Sequence, residues 1–160
     1  MSHIRVVWGA ASAPTPMASF DAALREANIH NYNLVAVSSV IPDDVAVEAV
    51  GTAPDLGPVG NRLTVVEGKA TVAPASGDTA AAALAWAQTP SGKGIFYEAS
   101  GHDPANVRTR VEEGLEAGKA LREWDFGETN VQLASAPADS EEYVTALVVA
   151  AYGQSEPIIR

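Results

Sequence analysis

Ser38 and Ser39 close the apolar run Asn33-Leu34-Val35-Ala36-Val37, and Pro42 follows three residues after the pair. A hydroxyl held in a strained, water-poor turn can attack the carbonyl of the residue before it, provided that something stabilises the oxyanion. Serine pairs also occur commonly at strand ends, where their hydroxyls satisfy turn amides. On these residues alone both readings stand.

The standard alternatives fail on residue type or spacing. The chain has no cysteine, which excludes disulfides, thiol nucleophiles, iron–sulfur clusters and cysteine-ligated zinc. His3, His30 and His102 are scattered, with no H-x-H or H-E-x-x-H. Ser91-Gly92-Lys93-Gly94 lacks the glycine spacing and the Lys-Ser/Thr ending of a phosphate loop. No G-x-G-x-x-G opens a helix and no G-x-S-x-G elbow occurs. None of Lys69, Lys93 and Lys119 has the setting of a Schiff-base lysine for pyridoxal phosphate.

The serine pair needs elements to hold it. Ile4 to Trp8 reads as a first strand closed by Gly9, and Thr15-Pro16 as the cap and first residue of a helix. Met17, Phe20, Leu24 and Ala27 give that helix an apolar face. Asn33 to Val37 is a second strand, and Val45 to Val50 a possible third. Leu63–Val66 and Ala70–Ala73 around Glu67-Gly68-Lys69 predict a hairpin. Ser76 to Thr79 predicts the cap of an alanine-rich helix, Ala80 to Gln88. Gly94 to Glu98 is a strand, and Asp103-Pro104 opens the longest helix, with Val107, Val111, Leu115, Leu121 and Trp124 as its buried stripe. Strands near Asn130–Ser135 and Tyr143–Tyr152 finish the chain. The order lacks strict βαβ alternation and points to a sandwich of sheet and helices rather than a doubly wound sheet.

Length and charge set outer bounds. At 160 residues the chain fits one domain able to bury roughly 70% of its unfolded surface. A 47% hydrophobic content opposes disorder. Twenty acids against ten bases give a net charge of −10, unsuited to nucleic acid or an anionic membrane. Three lysines against seven arginines, with abundant alanine, suit a high-salt cytoplasm as well as an ordinary acidic cytosolic protein. With neither a spanning run nor a signal-peptide pattern, the expected place is the cytoplasm.

The segment from Gly9 to Pro42 resembles the pyruvoyl-dependent arginine decarboxylases of archaea and some bacteria. Thr15-Pro16, Phe20-Asp21-Ala22-Ala23-Leu24, Asn33-Leu34 and Ser38-Ser39-Val40-Ile41-Pro42 occur in the family's order and spacing. Ile95-Phe96-Tyr97-Glu98, Gly101 and Arg122-Glu123-Trp124 extend the match over nearly the whole chain. The resemblance implies a mixed α/β (α+β) fold, an αββα sandwich, in a single domain 1–160. It also implies a proenzyme in which the Ser39 hydroxyl attacks the Ser38 carbonyl. The ester that forms eliminates, and the resulting dehydroalanine hydrolyses with loss of ammonia to a pyruvoyl group. The products are a β chain, 1–38, and an α chain, 39–160. That ketone would form a Schiff base with arginine, releasing agmatine and carbon dioxide for polyamine synthesis, with neither pyridoxal phosphate nor metal.

By the same resemblance Glu98 is the proton donor, which requires burial against groups such as Phe96 and Tyr97 to hold it protonated near neutral pH. Asn33 supports processing and reaction beside the pyruvoyl group. Asp21 receives the substrate guanidinium with two oxygens, and Leu24 lines the pocket. The implied assembly is a homotrimer of αβ units with active sites between protomers. His30 and Tyr32 stand where the family has room for smaller residues, so substrate preference is open. Two alternatives remain at this level: a pyruvoyl decarboxylase of another amino acid, and an uncleaved small-molecule-binding or regulatory homologue.

Overall fold

A computed structural model describes residues 2–160 and, among them, two helices and nine strands. Five strands form one mixed sheet, in the order β2 (Asn33–Ala36), β5 (Arg62–Val72), β9 (Tyr143–Tyr152), β1 (Ser2–Ala13), β4 (Val45–Gly51). Four form an antiparallel sheet, in the order β3 (Val40–Ile41), β7 (Gly94–Gly101), β6 (Thr79–Gln88), β8 (Asn130–Pro137). Their facing sides share one core, in which Val6, Val66 and Val148 meet Leu84, Trp86 and Phe96. Helix α1 (Pro16–Glu26) covers the outer face of the larger sheet through Ala23 and Leu24, against Val7, Leu147 and Val149. Helix α2 (Pro104–Lys119) covers the smaller one through Val107, Val111 and Leu115. The layers run α, β, β, α, as the family resemblance implies.

Local chemistry explains the helix starts. Thr15 Oγ1 accepts the Ala18 N–H at 3.1 Å and Pro16 is the first helical residue. Asp103 Oδ1 accepts the Ala105 N–H at 3.0 Å ahead of Pro104. β1 runs straight through Gly9 rather than closing there, and a Cβ at that position would run into the Ala23 carbonyl of α1. That glycine serves close helix–sheet approach rather than a turn.

Four expectations are corrected. Residues 80–88 are not a helix but the core of β6, paired on both sides. Ala81, Ala83, Ala85 and Ala87 lie beneath α2 while Ala80, Leu84 and Trp86 face the other sheet. Alanine's helix propensity is a few tenths of a kcal/mol per residue, about, and burial on two faces overrides it. Glu67-Gly68-Lys69 is not a hairpin turn, since β5 is continuous and pairs with β9 through all three. Leu121 lies beyond the end of α2 and is 79% exposed, while Trp124 packs partly buried beneath the helix from the segment that follows. Met17 also faces outward rather than into the core. Among the described residues no helix is long and apolar enough to cross a membrane.

Candidate active site

The link between β2 and β3 passes from one sheet to the other, and the serine pair is that link. β2 pairs in parallel with β5 up to Ala36–Val65, and Val37 still donates its N–H to the Val65 carbonyl at 3.0 Å. Two residues later Ser39 offers its carbonyl to the Phe96 N–H at 2.8 Å, and Val40 and Ile41 pair with β7. Between these anchors the backbone folds into two overlapping three-residue turns. Ser39 N–H donates to Val37 O at 3.2 Å, and Val40 N–H donates to Ser38 O at 2.5 Å. Downstream, the Tyr152 hydroxyl donates to the Val40 carbonyl at 3.0 Å, and burial pushes that phenol up to about 12.

Ser39 Oγ lies 3.4 Å from Glu98 Oε2 and donates to it. Alternation along β7 sends Phe96 and Glu98 toward the facing sheet and Tyr97 toward α2. Glu98 lines the cleft and is exposed to it. Desolvation raises its pKa most, the Ser39 hydroxyl lowers it, and the Glu67 charge raises it again, for a net shift upward. A cleft of about 400 Å³ opens here, lined by Ser38, Ser39, Val40, Ile95 to Glu98 and Arg122. Arg122 is its cationic end, held by a bond from Nη1 to the Gly118 carbonyl at 2.9 Å and stacked 5.6 Å from the Trp124 ring.

Within one protomer the structure gathers Ser38, Ser39 and Glu98 but not the other expected residues. Asn33 begins β2 at the far end from the pair, and its Nδ2 donates to the Gly60 carbonyl at 2.8 Å. Asp21 is on the exposed side of α1. Leu24 is only 6% exposed and packs in the core between α1 and the larger sheet. His30 and Tyr32 line a separate cavity with Asp55 and Val59. There Tyr32 is turned inward, its hydroxyl bonding the Gly57 carbonyl and the Leu56 N–H, each at 3.1 Å. Sequence reasoning missed the Val40 amide, Tyr152 and Glu67. A backbone donor has no side-chain signature, Tyr152 reads as the end of a strand, and Glu67 reads as part of a hairpin turn.

A peptide bond flanked by a hydroxyl, an amide on its carbonyl oxygen and a carboxyl with a raised pKa is an arrangement on which self-processing is chemically possible, here within an αββα sandwich. Comparison with known proteins agrees. The profile of the pyruvoyl-dependent arginine decarboxylase family matches residues 3–157. Curated proteins from two strains of Halobacterium salinarum, both described as pyruvoyl-dependent arginine decarboxylase, are each 50% identical over 159 residues. The match covers 99% of this chain and 98% of theirs. The chain belongs to the pyruvoyl-dependent arginine decarboxylase family.

The residues present fit a pyruvoyl group. The serine that would carry it is at the cleft wall, its carbonyl is fixed by the Phe96 amide, and a carboxyl stands at hydrogen-bond reach.

Proposed function

We propose that this chain decarboxylates L-arginine to agmatine and carbon dioxide, using a pyruvoyl group made from its own Ser39. The observation that carries the reading is the placement of the Ser38–Ser39 peptide at the cleft, with Ser39 Oγ 3.4 Å from Glu98 and the Val40 amide on the Ser38 carbonyl.

In processing, the Ser39 hydroxyl attacks the Ser38 carbonyl carbon, and the Val40 N–H carries the developing oxyanion. The Ser38–Ser39 C–N bond breaks as the ester forms, and the Ser39 nitrogen takes the proton. β-Elimination frees Ser38 as a carboxylate and leaves dehydroalanine, which takes up water and loses ammonia. The pieces are β chain 1–38 and α chain 39–160.

Bound in place, the pyruvoyl ketone supplies the carbonyl that an amine condenses with and the electron sink for loss of carbon dioxide. The chain's own residues do the rest. Glu98, its pKa raised chiefly by partial desolvation, delivers the proton that replaces the lost carboxyl group. Phe96 N–H orients the residue-39 carbonyl, and Ile95 and Phe96 keep that end of the cleft apolar. Asp21 receives the guanidinium through a two-oxygen fork, Leu24 anchors the helix beneath it, and Asn33 supports processing and reaction. Asp21 and Asn33 sit away from the cleft of their own protomer and would serve a neighbour's site in a homotrimer of αβ units.

Intact mass under denaturing conditions tests this first. The expected result is two chains split after Ser38, the larger one lighter by one ammonia than its plain hydrolysis fragment, with carbon dioxide released from arginine. One uncut chain after incubation in high salt, or a cut chain inert toward arginine, overturns it.

A further inference from the structure

L-Arginine carries an amine, a guanidinium arm and a carboxylate on its α-carbon, and a site must treat each differently. The amine belongs at residue 39 and the arm at Asp21 of a neighbour. The carboxylate, present in the substrate and gone from the product, has no partner among the residues assigned above. Taking it out of bulk water needs a cation or several N–H donors.

Among the residues that line the cleft, Arg122 is the only base. Gly114 and Gly118 let α2 lie flat on Tyr97, where a Cβ at 118 would run into the ring itself. After the helix, Arg122 N–H donates to the Lys119 carbonyl at 3.1 Å, and this turn sets residue 122 beside the Ile95–Glu98 stretch of β7. Nη1 donates to the Gly118 carbonyl, and the guanidinium stacks on Trp124. Capping the helix end in this way uses a single N–H of a planar fork that carries several. The others have no partner among the described residues, and neither does the charge. Although acids outnumber bases twenty to ten, no described carboxylate lies within salt-bridge reach of Arg122, Glu98 included. Lys93, the other cation on the Trp124 ring at 4.8 Å, is outside the cleft lining. A partly buried guanidinium with free donors, at the wall that also holds Ser39 and Glu98, is fitted to an anion.

We infer that Arg122 is a substrate-binding residue that receives the α-carboxylate of the amino acid and so separates the substrate from the amine it becomes. The inference rests on the proposed decarboxylation at Ser39. The pairing serves binding rather than bond breaking. As carbon dioxide leaves, negative charge passes from the carboxylate toward residue 39, so Arg122 holds the bound substrate more strongly than the transition state. Once the carboxylate has gone, the same guanidinium opposes the positive charge of agmatine and favours its departure.

The test is calorimetric binding to the enzyme as purified, with a matched pair of ligands that cannot be turned over. Argininic acid keeps the guanidinium and carboxylate but has a hydroxyl in place of the amine; guanidinobutanol is the same molecule without the carboxylate. The unmodified enzyme is expected to bind the acid at least about tenfold more tightly than the alcohol. Arg122→Gln should erase that preference by weakening the acid alone, and Arg122→Lys, which keeps the charge without the fork, should restore part of it. In turnover, Arg122→Gln should raise KM for arginine by a similar factor without lowering kcat. No preference in the unmodified enzyme, a preference that survives in Arg122→Gln, equal weakening of both ligands, or a fall in kcat with KM unmoved overturns the inference. Should Arg122→Gln not fold, Arg122→Lys decides: a reduced preference with the alcohol unaffected supports the inference, and an unchanged one overturns it. Failure of the decarboxylase reading looks different, since intact mass would then show an uncut chain, or arginine would yield no carbon dioxide, whichever ligand binds more tightly.

Discussion

Val40 donates its backbone N–H to the carbonyl oxygen of Ser38 at 2.5 Å, so the carbonyl next to the Ser39 hydroxyl already carries a donor where negative charge would collect. Replacing Val40 by its α-hydroxy analogue removes this N–H and keeps the side chain. Cutting is expected to slow by about a hundredfold, in line with loss of one oxyanion donor. A gel time course of the uncut chain measures it, and an unchanged rate would remove the amide from the mechanism.

Tyr152 holds the other side of the same residue. Tyr152→Phe keeps the ring against Phe96, 6.2 Å between centroids, and loses only the bond to the Val40 carbonyl. Denaturant unfolding should show a loss of about 1 kcal/mol, and processing should be slower because the downstream anchor is looser.

With Glu98 as the proposed proton donor, pH should act on both activity and stability. Its folded-state pKa is raised, so the neutral form is the one folding favours. The stability it contributes is fully present below the ordinary glutamate value and is lost as pH rises through the raised one. Glu98→Gln, neutral throughout, should lack that decline. Decarboxylation by the unmodified enzyme should fall over the same window as the donor loses its proton, and Glu98→Gln should be cut yet release carbon dioxide poorly.

The proposed sharing of sites between protomers is tested by a mixing experiment. Asp21→Ala and Glu98→Gln are each expected to be nearly inactive on arginine. Unfolding and refolding the uncut chains together, then allowing processing, should restore part of the activity, because a site that draws Glu98 from one variant and Asp21 from the other is whole. No recovery in verified mixed trimers would place both residues' roles within a single chain.

Gly68→Ala probes how closely the sheets must meet. The added Cβ would lie 3.1 Å from the Ala83 carbonyl oxygen and 3.3 Å from that of Ala99, both backbone atoms with little room to yield. A loss of about 1–3 kcal/mol in unfolding free energy is expected.

The cap residues Thr15 and Asp103 and the apolar spacing of Val107, Val111 and Leu115 were legible because helix starts and amphipathic stripes are local signals. The alanines of β6 misled for the opposite reason. Their strand state comes from β7, β8 and α2 covering them, which no window of nine residues contains. Gly68 misled likewise: a glycine between charged residues suggests a turn, and its actual reason is contact with β6 and β7. In the site, Ser38 and Ser39 stood out as a pair at a strand end. That Ser39 meets Glu98, 59 residues away, depends on the chain changing sheets between β2 and β3. The pairing of a nucleophile with an acid was thus a property of topology.

The same topology bears on how the protein ages. Residues 1–38 include β1, which is flanked on both sides by β9 and β4, and also β2 and α1. A chain opened after Ser38 keeps every one of those neighbours, so scission frees two ends without freeing a piece. Refolding, however, changes its molecularity. Before scission the first 38 residues are tethered to their partners at a high effective concentration; afterwards they must be found again by diffusion. At dilution, each complete unfolding of a cut form would be an exit with no return, and its working lifetime would be set by how slowly β1 leaves the sheet.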